Sequence, residues 1–195
     1  MKIRTTSILL VISIALAVFS GCSSAQEVAP AESAPTESAP AEITIKGRTY
    51  STDLTELDLD YQELTDSDIE PLKFMTNLTV LGLNSNRISD LSALGGLTNL
   101  ERLYLYNNQI SDLSGLGGLT NLTMLFLSNN QISDLSALGG LTNLTELVLW
   151  NNQISDLSAL GGLTNLRHLD LSGDQISEAQ VEELRAALPD CAIIF

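Results

Sequence analysis

Cysteine, histidine and positive charge are scarce in this 195-residue chain. Its two cysteines, Cys22 and Cys191, are too few for a disulfide framework. The single histidine, His168, leaves little from which to build a nitrogen-ligated metal centre. Nine basic residues face 24 acidic ones, a net charge of −15, which argues against nucleic acid and against adsorption to anionic lipid. No nucleophile elbow, phosphate loop or paired-histidine motif occurs, so neither an enzyme nor a bound cofactor or metal is expected. The one long apolar run, Ile8 to Phe19, falls short of the roughly 20 residues a membrane helix needs.

What is present begins with that run. Lys2 and Arg4 ahead of it give residues 1–21 the form of an export signal peptide. The segment closes in Phe19-Ser20-Gly21-Cys22, and small residues before a cysteine resemble the lipobox of bacterial lipoproteins. Phe19 stands where that family carries Leu or Val. The resemblance implies acylation of Cys22, with palmitate-type chains, and a protein anchored by lipid on the extracytoplasmic side of a bacterial cell envelope. An ordinary secretory signal cut near Ala25 is the competing reading. Residues 22–42 are almost wholly Ala, Pro, Ser, Thr and Glu, with Ala-Pro at 29–30, 34–35 and 39–40. Such a segment is too polar to order itself and should act as a semi-extended tether of about 60 Å. Removing residues 1–21, which hold two basic residues and no acid, deepens the net charge to −17.

Beyond the tether, one 22-residue unit recurs in tandem from Leu78, Leu100, Leu122 and Leu144. A fixed period of this size means a solenoid in which each coil touches only its neighbours. In the copy from Leu100 to Asn121, Leu103 and Leu105 alternate with Arg102, Tyr104 and Tyr106, which is strand patterning. Ile110, Leu113, Leu116 and Leu119 then come every three residues, a tight 3₁₀-like path. Gly117-Gly118 is expected to permit the sharp return. One coil alone buries too little apolar surface to offset the entropy of ordering it, so stacking and a parallel sheet must supply the rest. Asn86, Asn108, Asn130 and Asn152 recur where the strand turns inward, and a column of amides can satisfy backbone groups from coil to coil. The repeated Asp90, Asp112, Asp134 and Asp156 fit turn capping better than calcium.

The pattern Leu-x-x-Leu-x-Leu-x-x-Asn-x-Ile resembles the leucine-rich repeat family, in the 22-residue class of internalin-like bacterial surface proteins. The resemblance implies an α/β repeat fold, a curved solenoid with its parallel sheet on the concave face and 3₁₀ or irregular structure outside. A first coil from Leu54 fits with two extra residues, and a last begins at Leu166, so the repeats span 54–176. An N-terminal cap, 43–53, alternates around Lys46-Gly47 as a short strand or hairpin. The C-terminal cap, 177–195, opens with a capping box at Ser177 and Gln180 and presents Val181, Leu184 and Leu188 on one helical face before Pro189. Counting 22 from Leu166 assigns a closing strand signature to Leu188, Cys191 and Ile193, with Cys191 as a buried core thiol. The Asn-x-Thr acceptors at Asn77, Asn121 and Asn143 read as coincidental products of the repeat.

The copies from Leu100, Leu122 and Leu144 differ at their second, third, fifth and seventh positions, and at Gly115. The third, fifth and seventh positions are the outward strand residues, and Gly115 lies on the far side. Stacking places Arg102, Tyr104, Tyr106, Met124, Phe126, Glu146, Val148, Trp150 and His168 on that one face, with the aromatics contiguous and acids at both ends. An exposed aromatic patch rimmed by polar groups is the anatomy of a protein-binding hot spot. A protein ligand bound by a monomer is therefore the expected function. A glycan or cell-wall peptide is the alternative, and self-association or simple sheet stabilisation by aromatics competes. His168 with Glu146 and Asp170 lacks the further nitrogen or sulfur ligands a metal site would need.

Overall fold

The computed structural model describes residues 40–195; the signal segment, Cys22 and most of the tether lie outside them. Two strands, β1 (Glu42–Ile45) and β2 (Arg48–Ser51), pair antiparallel around Lys46-Gly47. Both turn residues are left-handed, at φ 45° and 78°, as a two-residue hairpin loop requires. The hairpin buries Ile43 and Ile45 against the first coil. Lys46 Nζ donates to the Gln62 and Glu63 carbonyls at 3.0 and 2.6 Å, covering groups that have no preceding coil.

Seven three-residue strands then form one parallel sheet in chain order: β3 (Glu56–Asp58), β4 (Val80–Gly82), β5 (Arg102–Tyr104), β6 (Met124–Phe126), β7 (Glu146–Val148), β8 (His168–Asp170) and β9 (Ala192–Ile194). The central leucines Leu57, Leu81, Leu103, Leu125, Leu147 and Leu169 pair with one another across the sheet and face the core. Opposite the sheet, 3₁₀ turns run over Ser92–Leu94, Ser114–Leu116, Ser136–Leu138 and Ser158–Leu160. Each is opened by the aspartate two residues before it. Asp90, Asp112, Asp134 and Asp156 accept the serine N–H at 2.8, 2.8, 2.8 and 2.9 Å. Burial of the leucines and isoleucines between these layers supplies the main cohesive term.

Two polar columns bind coil to coil. In the first, Asn108 Nδ2 donates to the carbonyls of Leu83 and Leu105, while its Oδ1 accepts from Ile88 N–H. Asn86, Asn130 and Asn152 repeat this bridging, each donating to its own coil and the one before. The second column was not anticipated. Asn77, Asn99, Asn121, Asn143 and Asn165 donate to the carbonyls of Thr52, Thr76, Thr98, Thr120 and Thr142 in the preceding coil. The residues that read as chance Asn-x-Thr acceptors are thus structural pins.

The chain does turn at Gly117-Gly118, with Gly117 right-handed at φ −58°; the left-handed residues of these coils are Asn107, Asn129 and Asn151 at φ 58°, 53° and 58°, just after the strands. Asparagine tolerates this region because its short polar side chain bonds locally. The close of the chain is shifted from the expected register. Helix α1 (Glu178–Ala187) carries the expected Ser177–Gln180 capping box and buries Val181 and Leu184. Strand β9, however, pairs Leu169 with Ile193 and His168 with Ala192. The last coil is therefore two residues longer than the repeat, because it must accommodate a full helix. Ile193 takes the inward leucine place, and Cys191 falls opposite Arg167, only half-buried against the core edge. Burial pushes its thiol up, with Arg167 opposing weakly.

Candidate partner-binding face

On the solvent side of the sheet, register fixes two straight columns. Glu56, Val80, Arg102, Met124, Glu146 and His168 form one, and Asp58, Gly82, Tyr104, Phe126, Val148 and Asp170 the next. A third, beyond the strand ends, contains Asp60, Asn84, Tyr106, Ser128, Trp150 and Ser172, joined by backbone bonds such as Asn107 N–H to Ser128 and Asn129 N–H to Trp150. Alternation of side chains along each strand puts all three on one surface.

The aromatic groups do not lie evenly on it. Tyr104 and Phe126 stack, with centroids 5.1 Å apart and planes 21° from parallel. Trp150 is 37% exposed, whereas Val148 is only 9% exposed. Ser128 is buried between Tyr106 and Trp150 in the third column, so the tryptophan stands apart from the tyrosines there. Arg102 is exposed, and Tyr104, Tyr106, Met124, Phe126, Glu146 and His168 are half-buried. The ion pairs among the described residues, Lys73–Glu70, Arg87–Glu63 and Arg185–Glu182, involve none of these side chains. Among the described residues, then, no ion pair engages Arg102, Glu146 or His168.

One aromatic escaped the sequence reading. Tyr61, 69% exposed, sits at φ 56° beside Tyr106. Tyr106 raises the Tyr61 phenol pKa, while Ser85 and then Tyr61 hold that of Tyr106 below its usual range. Tyr61 occupies the eighth position of its coil, where the later copies carry Ser85, Asn107, Asn129 and Asn151. Extending the comparison of copies by one column would have found it. At the other end, Glu146 pairs in register with His168, but Asp170 Oδ1 is taken by Ser172 N–H and Oγ at 2.9 and 2.6 Å. Among the described residues, no three His, Cys, Asp or Glu side chains are grouped to hold a metal.

A stack of equivalent coils carrying variable residues on one sheet surface defines a repeat solenoid. The family described as leucine rich repeats (2 copies) matches at residues 76–118, 98–140, 120–162 and 142–185, and the chain belongs to it. The fold is similar to a leucine-rich repeat protein of Leptospira interrogans, at 34% identity over 74% of this chain and 38% of that one, TM-score 0.69. It is also similar to two internalins of Listeria monocytogenes. Internalin C2 shares 30% identity over 75% of this chain and 74% of its own, TM-score 0.58. The other shares 26% over 76% of this chain and 50% of its own, TM-score 0.58. The chain thus spans half of that internalin and little more than a third of the Leptospira protein. No curated protein matches the sequence.

Proposed function

We propose that this protein is a membrane-tethered, extracytoplasmic module that captures a protein partner on the aromatic face of its sheet. The observation that carries the reading is the Tyr104–Phe126 stack, with Trp150 exposed on the same face, on the surface where near-identical coils differ most. Were these rings present only to stabilise the sheet, the favourable ring would recur in every copy. It does not, since Gly82, Val148 and Asp170 share the column of Tyr104 and Phe126. Changing Tyr104, Phe126 and Trp150 together to alanine should abolish partner capture from the native envelope while the protein still unfolds cooperatively. Capture that survives the triple change refutes the assignment. The anchor is tested separately: Cys22→Ala should release the protein from the membrane fraction, and unchanged fractionation rejects the lipid tether.

A further inference from the structure

The fifth-position column has a gap in it. Tyr104 and Phe126 stack at 5.1 Å, close to the spacing of adjacent strands, about 4.8 Å. Phe126 therefore covers one face of Tyr104. The other face looks along the sheet towards β4, where the residue paired with Tyr104 is Gly82, which has no side chain to cover it. Across the gap stand carboxylates. A Cβ on Gly82 would lie 3.0 Å from Asp60 Oδ1 and 3.3 Å from Asp58 Oδ1. The result is a hollow walled by Tyr104, Asp58, Asp60, Asn84, Val80 and Glu56.

The wall acids are not all in use. Asp60 is held by Asn84, whose N–H and Nδ2 donate to it at 2.7 and 2.9 Å. Asp58 Oδ1 accepts the Asp60 N–H at 2.9 Å. Among the described residues, no donor reaches Asp58 Oδ2 or the Glu56 carboxylate. We propose that this slot receives an arginine side chain of a protein partner, its guanidinium stacked on Tyr104 and hydrogen-bonded to Asp58 and Glu56. The inference rests on the sheet face being the binding surface.

Shape and charge select this occupant over others. A guanidinium is flat, so it can take the next place in the stack at ring spacing, and its edge donors match carboxylate oxygens. Lysine is a point charge that cannot stack. A neutral ring would stack, but would leave the carboxylates uncompensated. The acidic balance of the whole chain, −15, favours approach of a cationic partner.

The test pans a phage-displayed library of random dodecapeptides against the full chain in non-ionic detergent. Clones that also bind the Tyr104, Phe126, Trp150 triple-alanine protein are discarded. The remainder should share an arginine, and synthetic peptides with citrulline or lysine in its place should bind at least about tenfold more weakly. Asp58→Asn should cause a similar loss, although its retained Oδ1 still accepts the Asp60 N–H; Gly82→Ser, which fills the slot, should do the same. Peptides that need the aromatic face but ignore both citrulline and Asp58→Asn overturn the arginine slot and leave the sheet-face assignment standing. A library in which every clone binds the triple variant equally well overturns both.

Discussion

Replacing Asp174 with asparagine should make this protein more stable. Asp174 stands at the end of the first amide column and performs only half of its task. Its Oδ1 accepts the N–H groups of Asn152 and Ile154, both at 3.1 Å. Its Oδ2 is closed to solvent and has no hydrogen-bond partner. In the preceding coils this place is held by an amide nitrogen that donates to two carbonyls; by register, those here belong to Leu149 and Leu171. Burial raises the Asp174 carboxyl pKa; the Ile154 and Asn152 N–H groups oppose the rise and the Asp170 charge adds to it. Restoring two neutral hydrogen bonds at about 1 kcal/mol each gives roughly 2 kcal/mol, or about 4–8 °C in the unfolding midpoint of a domain near 150 residues. The pH dependence carries a definite sign. A carboxyl whose folded pKa is raised stabilises the fold below its unfolded value, near 3.9, and that stabilisation is lost as pH rises through the folded value. The advantage of Asp174→Asn in urea unfolding should therefore be full at pH 7. It should shrink to about 1 kcal/mol near pH 3, where the protonated acid can donate one bond itself. An equal or less stable variant at pH 7, or an advantage that does not change with pH, refutes this account.

Three other outcomes are expected. Asn130→Ala removes amide bonds to Leu105 and Leu127 and the acceptor for Ile110 N–H, leaving buried groups unpaired; urea unfolding should register a loss of about 3 kcal/mol. Gly115→Ala should destabilise by about 1–3 kcal/mol in the same assay, because its Cβ would meet the Leu91 carbonyl oxygen at 2.5 Å. It should do so although alanine fills the corresponding positions 93, 137 and 159. Asp134 and Asp156 are held below the ordinary carboxylate range by the Ser136 and Ser158 N–H groups. Their contribution is present above about pH 4 and is lost as pH falls through the folded values. A double Asp→Asn variant should flatten the acid limb of stability against pH, the opposite of the Asp174 effect.

The architecture could be read from the chain because each strand repeats its leucines at a fixed interval, and a one-residue slip would turn every leucine to solvent. The three outward columns followed from that register. What escaped depends on relations between coils rather than within one. The Asn77-to-Asn165 column bonds only to the preceding coil, so a single copy gives no hint of it. The closing strand moved by two residues because α1, a full helix, replaces the 3₁₀ turn and uses more chain. Gly82 was visible as an odd member of its column, but the slot beside Tyr104 emerged only once the stack with Phe126 fixed which ring face stays bare.

The two amide columns also make length a free variable. Each coil offers the next the same carbonyls and takes the same donors in return, so excising or duplicating one 22-residue unit between Leu100 and Asn143 leaves no bond without its counterpart. The molecule then behaves as a ruler graduated in steps of about 4.8 Å. Coils can be added, deleted or exchanged wherever the neighbour leaves room, as Leu91 does only for glycine at position 115, and the order of the coils sets which side chains the solvent face of the sheet displays.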